Sequence, residues 1–194
     1  MKKKNNIMYL VDNYIYLSNK GHIIKHSLDN NILKNGKIAN IRMFIEQYNI
    51  LLDKNKISLS IFNEVINVII NPSYTKADIE VLKNILNSIG YHKVNTINEF
   101  RLYKLNKSNA YFNYNNEYSI LSYINIYDKK ESYLIESNLL TEKELIKIIK
   151  NKIKNKDLLV FGLNDNIDTF INYFKNGYHF NNDETYLIDL FFTS

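Results

Sequence analysis

The 194-residue chain has no cysteine and no tryptophan, a single proline and only five glycines. Without cysteine there is no disulfide, no thiolate nucleophile and no cysteine-based zinc site. Scarce glycine leaves few places where the backbone can close on a phosphate, because a cradle of main-chain amides needs residues with no side chain in the way. No apolar run nears the roughly 20 residues that cross a bilayer as a helix. The start also lacks the apolar core and small-residue cleavage site of a signal peptide. A cytoplasmic protein is the expectation. Positive charge is thin as well: the formal charge is +5, and discounting Lys2, Lys3 and Lys4 leaves a body of about +2. That is too little for a nucleic-acid footprint.

Hydrophobic residues make up 45% of the chain and charged residues 23%, the balance of an ordinary globular protein. The length suffices to bury a core, as one domain or as two small halves. Asn, Lys, Ile and Tyr are used heavily, as in an AT-biased genome, so the Asn-rich loops do not mark a prion-like segment.

The stretch from Val65 to Glu99 organises the rest. Val65 to Ile70 is a short, β-branched apolar run that ends at Asn71-Pro72, the only proline, and so reads as a buried strand. Ser73 or Thr75 can cap a helix with Asp78 in its first turn, where a carboxylate suits the positive helix end. Ile79, Leu82, Ile85, Leu86 and Ile89 recur at helical spacing, and Gly90 stands where a C-terminal cap belongs. Lys93 to Glu99 is then a second strand, returning parallel to the first through a right-handed crossover. This is a βαβ unit.

The order of these features resembles the first large subdomain of bacterial actins of the MreB type. There a Val-Pro-Ser element leads into a helix and then a strand ending in Glu-Glu-Pro. Here the matching residues are Asn71-Pro72-Ser73, Ile89-Gly90 and Asn98-Glu99, with Phe100 in place of the proline. Flanking segments fall into the same order. Ile7 to Leu17, a turn at Asn19-Lys20-Gly21, and His22 to His26 read as a strand hairpin. Gly36-Lys37-Ile38-Ala39, after a turn at Asn35-Gly36, is similar to the Gly-Val-Ile-Ala that precedes a helix in these actins, and Ile41 to Leu52 is amphipathic.

In the second half, Tyr111 to Ile126 alternates as a strand pair and Tyr133 to Ser137 supplies a third strand. Thr141 and Glu144 form a capping-box pattern opening a helix. Leu158 to Phe161, Asn166 to Phe174 and Gly177 to Phe180 read as strand, helix and strand, with a terminal element over Asp183 to Phe192. The resemblance implies an α/β protein: an actin-like core of two RNase H-like halves, residues 1–110 and 111–194, without the small subdomains IB and IIB. The first would follow His26 and the second would fall around Ser137 to Glu142.

The loops that hold nucleotide in this family are altered. The Asp-Leu-Gly-Thr phosphate loop corresponds to Val11-Asp12-Asn13-Tyr14, shorter and without glycine. Against the second loop, Val-Asp-Ile-Gly-Gly-Gly-Thr-Thr, Asn113 replaces the metal-binding Asp, and Asn115, Asn116 and Glu117 replace the glycines. Glu117 would set like charge against a polyphosphate. Of the Gly-Gly-Gly turn that grips adenosine, only Gly162 is left.

Glu99 matches the position of a water-orienting polar residue but has no phosphate loop to work against. Asp12, Glu80 and Glu99 could instead be cast as the carboxylates of a two-metal nuclease, against which stand the modest charge and the ordinary role of Asp as a turn residue. His22 and His26 share one strand face with no third ligand in view. Lys147, Lys150, Lys152, Lys154 and Lys156, on the helix and loop spanning 141–156, are either a solvated helix side or a surface for an acidic partner or a membrane. Tyr111, Tyr114, Tyr118, Tyr123 and Tyr127 are strand packing, or, where exposed in a row, a protein-binding face.

The expectation is therefore a non-catalytic pseudo-actin with no catalytic, cofactor-binding or metal-binding residue and no cofactor. It would bind protein partners as a scaffold or regulator in a cytoskeletal, division or envelope assembly, with no nucleic-acid role and at most peripheral membrane contact. The alternatives are a residual ATP-binding or ATP-hydrolysing actin-like protein, and a pilus- or secretion-platform adaptor of related fold.

Overall fold

The computed structural model describes residues 6–19, 22–59 and 64–179. The chain divides into two compact units, residues 1–70 with 74–98, and residues 71–73 with 99–194. The expected boundary at 110/111 therefore moves back to the end of the βαβ unit. Residues 99–110 belong with the second unit because Asn109 and Ala110 already pair with Asp157 and Leu158.

In the first unit, β1 (Asn6–Val11), β2 (Tyr14–Asn19) and β3 (His22–Ser27) form an antiparallel meander. A two-residue ladder, β4 (Leu33–Lys34) and β5 (Lys37–Ile38), turns at Asn35-Gly36, where both residues have positive φ. Asn-Gly is the pair that accepts this conformation with least strain. Helix α1 (Ile41–Lys54) follows, capped by Asn40, and buries Phe44, Tyr48, Leu51 and Leu52. Each such side chain contributes about 1.5–3 kcal/mol on full burial.

Strand β6 (Val65–Ile70), helix α2 (Lys76–Ile89) and strand β7 (Lys93–Asn98) complete the unit. Strand β6 pairs parallel with β1 on one side and β7 on the other, giving the sheet order β3-β2-β1-β6-β7. Thr75 caps α2 with a full capping box to Asp78, and Gly90 ends the helix at φ 123°. One core joins the inward residues of β1, β2 and β6 to the apolar faces of α1 and α2.

The second unit repeats this plan. A 3-10 turn (Glu99–Arg101) leads to β8 (Asn109–Tyr114), β9 (Ser119–Ile124) and β10 (Lys130–Ile135), again an antiparallel meander. A short 3-10 turn (Ser137–Leu139) precedes helix α3 (Glu142–Ile153), whose capping box joins Thr141 to Glu144. Strand β11 (Asp157–Phe161), helix α4 (Ile167–Ile171) and strand β12 (Gly177–His179) follow. The sheet order is β10-β9-β8-β11-β12, with β8, β11 and β12 parallel.

Its core sets Phe112 and Tyr114 against Phe170, at ring centroid distances of 5.4 and 4.7 Å, and includes Leu145, Ile149 and Ile153 of α3. Between β3 and α1 the chain makes only the small ladder, and between β10 and α3 only the 3-10 turn. Both expected subdomain positions are thus short connections. The terminal element expected over 183–192 lies outside the described residues. Among those described, no helix is long and apolar enough to cross a membrane.

Candidate functional site

In a sheet of this order, the turns after β8, β10 and β11 collect at one end of the second unit, and this is where the resemblance puts a nucleotide. Val11 pairs with Tyr14 in the first unit, so the corresponding β1–β2 turn is Asp12-Asn13 alone, with Asp12 at φ 46°. Asp12 is buried. The Asn13 carbonyl accepts the Leu28 amide at 2.7 Å, so residues following β3 tie this turn down.

In the second unit, the β8–β9 turn spans residues 115–118. Asn113 is buried in β8 opposite Ile120, and Asn115 is buried at the turn. The Asn115 Oδ1 accepts the Leu163 backbone amide at 3.1 Å, and Asn116 Nδ2 donates to the Leu163 carbonyl at 3.4 Å. The Asn164 amide donates to the Tyr114 carbonyl at 3.0 Å. Gly162, at φ 132°, makes this approach possible: a Cβ there would stand 2.2 Å from the Tyr114 carbonyl oxygen. From the other side, Ser137 Oγ donates to the Asn115 carbonyl at 3.1 Å. The two turns that would flank a nucleotide in this half are thus hydrogen-bonded to each other.

Charge runs the same way. Residues 115–118, 136–142 and 162–166 include Glu117, Glu136, Glu142 and Asp165 and no lysine or arginine. The start of α3, where a free helix end would attract an anion, already holds the Glu144 carboxylate on the Thr141 amide at 2.8 Å. Hydrogen bonds from the Thr141 amide and hydroxyl keep the Glu144 carboxyl below its usual pKa. One donor is left over. Asn115 Nδ2 is buried without a partner among the described residues, a single neutral amide where a triphosphate calls for several converging donors. These residues do not fit a magnesium nucleotide.

The other candidate residues are dispersed. Glu99 is fully buried and accepts the Tyr103 hydroxyl at 2.9 Å. Tyr103 in turn stacks on Tyr111 at 4.8 Å and meets Phe161 edge-on at 5.7 Å, so the hydroxyl that Glu99 accepts belongs to a packed aromatic cluster. Glu80 pairs with Lys83 at 2.8 Å on the outer face of α2. His26 lies 3.4 Å from Gln47 of α1, whose amide reaches Asp29 at 3.2 Å, and His22 is exposed at the start of β3. Among the described residues, no three of His, Asp and Glu gather closely enough to hold a metal ion. Tyr111, Tyr114, Tyr118 and Tyr123 are buried, and Tyr127 is 75% exposed at the tip of the β9–β10 hairpin. The tyrosines therefore form no exposed row. What sequence reasoning missed is the Asn115–Leu163 link; its only signal was the survival of Gly162 alone among the adenosine-loop glycines.

No protein-family model and no curated protein matches this sequence. By structure, the chain is similar to MreB5 of Spiroplasma citri in its crystal form bound to AMPPNP, with a TM-score of 0.67 at 9% identity, covering 98% of this chain and 96% of that one. This is an MreB-like actin fold. The ethanolamine utilization protein EutJ of Carboxydothermus hydrogenoformans is also similar, with a TM-score of 0.59 at 12% identity, over 87% of this chain and 79% of that one. The phosphate-loop and adenosine positions of the β1–β2 turn, the β8–β9 turn and Gly162 are those that the sequence resemblance implies.

Proposed function

We propose that this actin-fold chain is non-catalytic and works by binding protein partners, as a scaffold or regulator of a cytoskeletal, division or envelope assembly. The observation that carries the reading is the Asn115–Leu163 hydrogen bond, which spends on the chain itself the contacts a nucleotide would need. A two-residue β1–β2 turn and an acidic loop end support it. Glu99, held by Tyr103, then serves the fold and orients no water.

The rival reading, a residual ATPase, draws on the AMPPNP in the MreB5 crystal. Titration calorimetry of the full chain with magnesium and ATP separates the two. We expect no saturable heat at micromolar concentration and no magnesium-dependent phosphate release. Saturable binding, or phosphate release that Glu99→Ala abolishes, would overturn the proposal.

A further inference from the structure

Opposite the acidic turns, the second unit gathers a different set of residues. Because β8, β11 and β12 are parallel, β9 runs against β8 and β10 runs with it, the segments 104–108, 125–129, 154–156 and 172–176 all emerge at one end of the sheet. They bring Lys104, Lys107, Lys129, Lys154, Lys156 and Lys175, and one acid, Asp128. Lys107 pairs with Asp128 at 2.8 Å. The Glu131 carboxylate accepts the Tyr123 and Tyr133 hydroxyls at 2.8 and 2.7 Å and the Asn125 amide at 2.6 Å. Asp128 and Glu131 are thereby engaged, and Asp157 at the start of β11 is the further acid at this end.

The surface here is concave. A recess of about 600 Å³ lies between the β9–β10 hairpin and the end of α3, lined by the apolar Ile126, Tyr127 and Ile153, by Lys107, Lys152, Lys154 and Lys156, and by two carboxylates, Glu131 and Asp157. A second recess, of about 640 Å³, shares Lys154 and Lys156 and adds Lys150, Lys175 and Tyr173, with no carboxylate in its lining among the described residues. Ile126 and Tyr127 are each 75% exposed, side by side. Contiguous exposed apolar surface rimmed by polar residues is where interaction sites form.

We infer that this end of the second unit docks an extended acidic segment of a partner protein, with a bulky apolar side chain entering the recess beside Ile126 and Tyr127 and carboxylates lying along Lys154, Lys156 and Lys175. The inference rests on the protein-binding reading above and names the surface and the chemistry of the partner. Two recesses joined by a basic loop suit a chain that places side chains alternately. A flat lipid surface would reach the projecting hairpin tip and leave the recesses unused. Electrostatic complementarity sets the orientation and the apolar anchor supplies the hold.

The test uses the full chain and fluorescence anisotropy with a labelled short peptide of Glu and Asp around a central Leu-Phe pair. Controls are the same peptide with Lys for each acid, the same with Ser for Leu-Phe, and phosphatidylglycerol vesicles. Saturable binding of the acidic apolar peptide alone is expected. Both Lys154→Glu with Lys156→Glu and Ile126→Ser with Tyr127→Ser should weaken it about tenfold or more, with circular dichroism unchanged.

Absence of saturable binding, equal binding of the control peptides, or insensitivity to both variants would overturn the inference, as would vesicles displacing the peptide. Calorimetry with magnesium and ATP on the same preparation keeps the two proposals apart. Nucleotide binding there would sink the non-catalytic reading and leave the surface standing. Lost peptide binding without nucleotide binding would do the reverse.

Discussion

Gly162 lies so close beneath Tyr114 that a methyl group at its Cα would stand 2.2 Å from the Tyr114 carbonyl oxygen and 2.7 Å from its amide nitrogen. Nothing flexible is available to move, since the atoms met are all backbone of Tyr114, the last residue of the central strand β8. The φ of 132° adds a conformation that residues with a Cβ avoid. Gly162→Ala should cost about 3 kcal/mol or more of unfolding free energy, read by urea denaturation of the purified variant. A change under about 1 kcal/mol would mean that the 162–164 turn does not sit against β8.

Tyr48 and Tyr91 share a buried hydrogen bond of 2.7 Å between their hydroxyls, with rings 6.3 Å apart and edge-on. Removing one hydroxyl strands the other in the core. Tyr48→Phe and Tyr91→Phe should each cost about 1–3 kcal/mol, and the double variant clearly less than the sum. Burial raises the pKa of both phenols, that of Tyr91 to about 12. A raised pKa contributes stability that is intact below the unfolded value of 10 and lost as pH climbs through the folded one. Alkaline unfolding should therefore shift to higher pH in the double variant.

Asp78 stands at the centre of a small network. It accepts Lys37 Nζ at 2.8 Å and the Thr75 amide at 2.8 Å. The hydrogen bond from Lys37, then those from Thr75, lower its pKa from 3.8 to about 2. A lowered carboxyl pKa contributes stability that is present above the unfolded value and lost as pH falls through the folded one. The window of loss is thus from about 3.8 down through about 2. Thermal melts of wild type and Asp78→Asn across this range should converge at the acid end, with the wild type the more stable above it. Parallel pH profiles would remove this role from Asp78.

The buried Glu99 carboxyl and the Tyr103 hydroxyl, 2.9 Å apart, make a further local test. Tyr103→Phe keeps the stack on Tyr111 and deletes only the donor, at a cost of about 1–2 kcal/mol. Glu99→Gln keeps an acceptor and should cost less than Glu99→Ala. Chemical denaturation of the three variants checks the order. An Ala variant as stable as wild type would argue against a structural role for this carboxyl.

Much of the architecture was legible because local signals agreed. The β-branched run 65–70, the apolar stripe of α2 and Gly90 appear as read; of the two cap candidates it is Thr75 that caps, and the parallel return expected over 93–99 ends at Asn98, with Glu99 in the 3-10 turn. The capping box at Thr141 and Glu144 likewise fixes the start of α3. Boundaries set by long-range pairing were not legible. The join between the units falls at 98/99 because Asn109 and Ala110 pair with residues 157 and 158, which no local pattern in 99–110 records.

The altered loops could be read as departures from a family pattern, whereas their mutual hydrogen bonding could not. Asn115 meets Leu163 only once β8 and β11 lie side by side in register. The tyrosines illustrate the same limit. Alternation placed Tyr111 and Tyr123 in strands, but it was the hairpin geometry that buried both and left Tyr127 outside.

The seam between residues 114–116 and 162–164 also bears on how this end of the sheet responds to substitution. Glycines placed in the β8–β9 turn would break the Asn115 and Asn116 bonds to Leu163 while leaving Gly162 and Asn164 still latched onto Tyr114. A change in one turn alone thus loosens the fold without opening this end of the sheet.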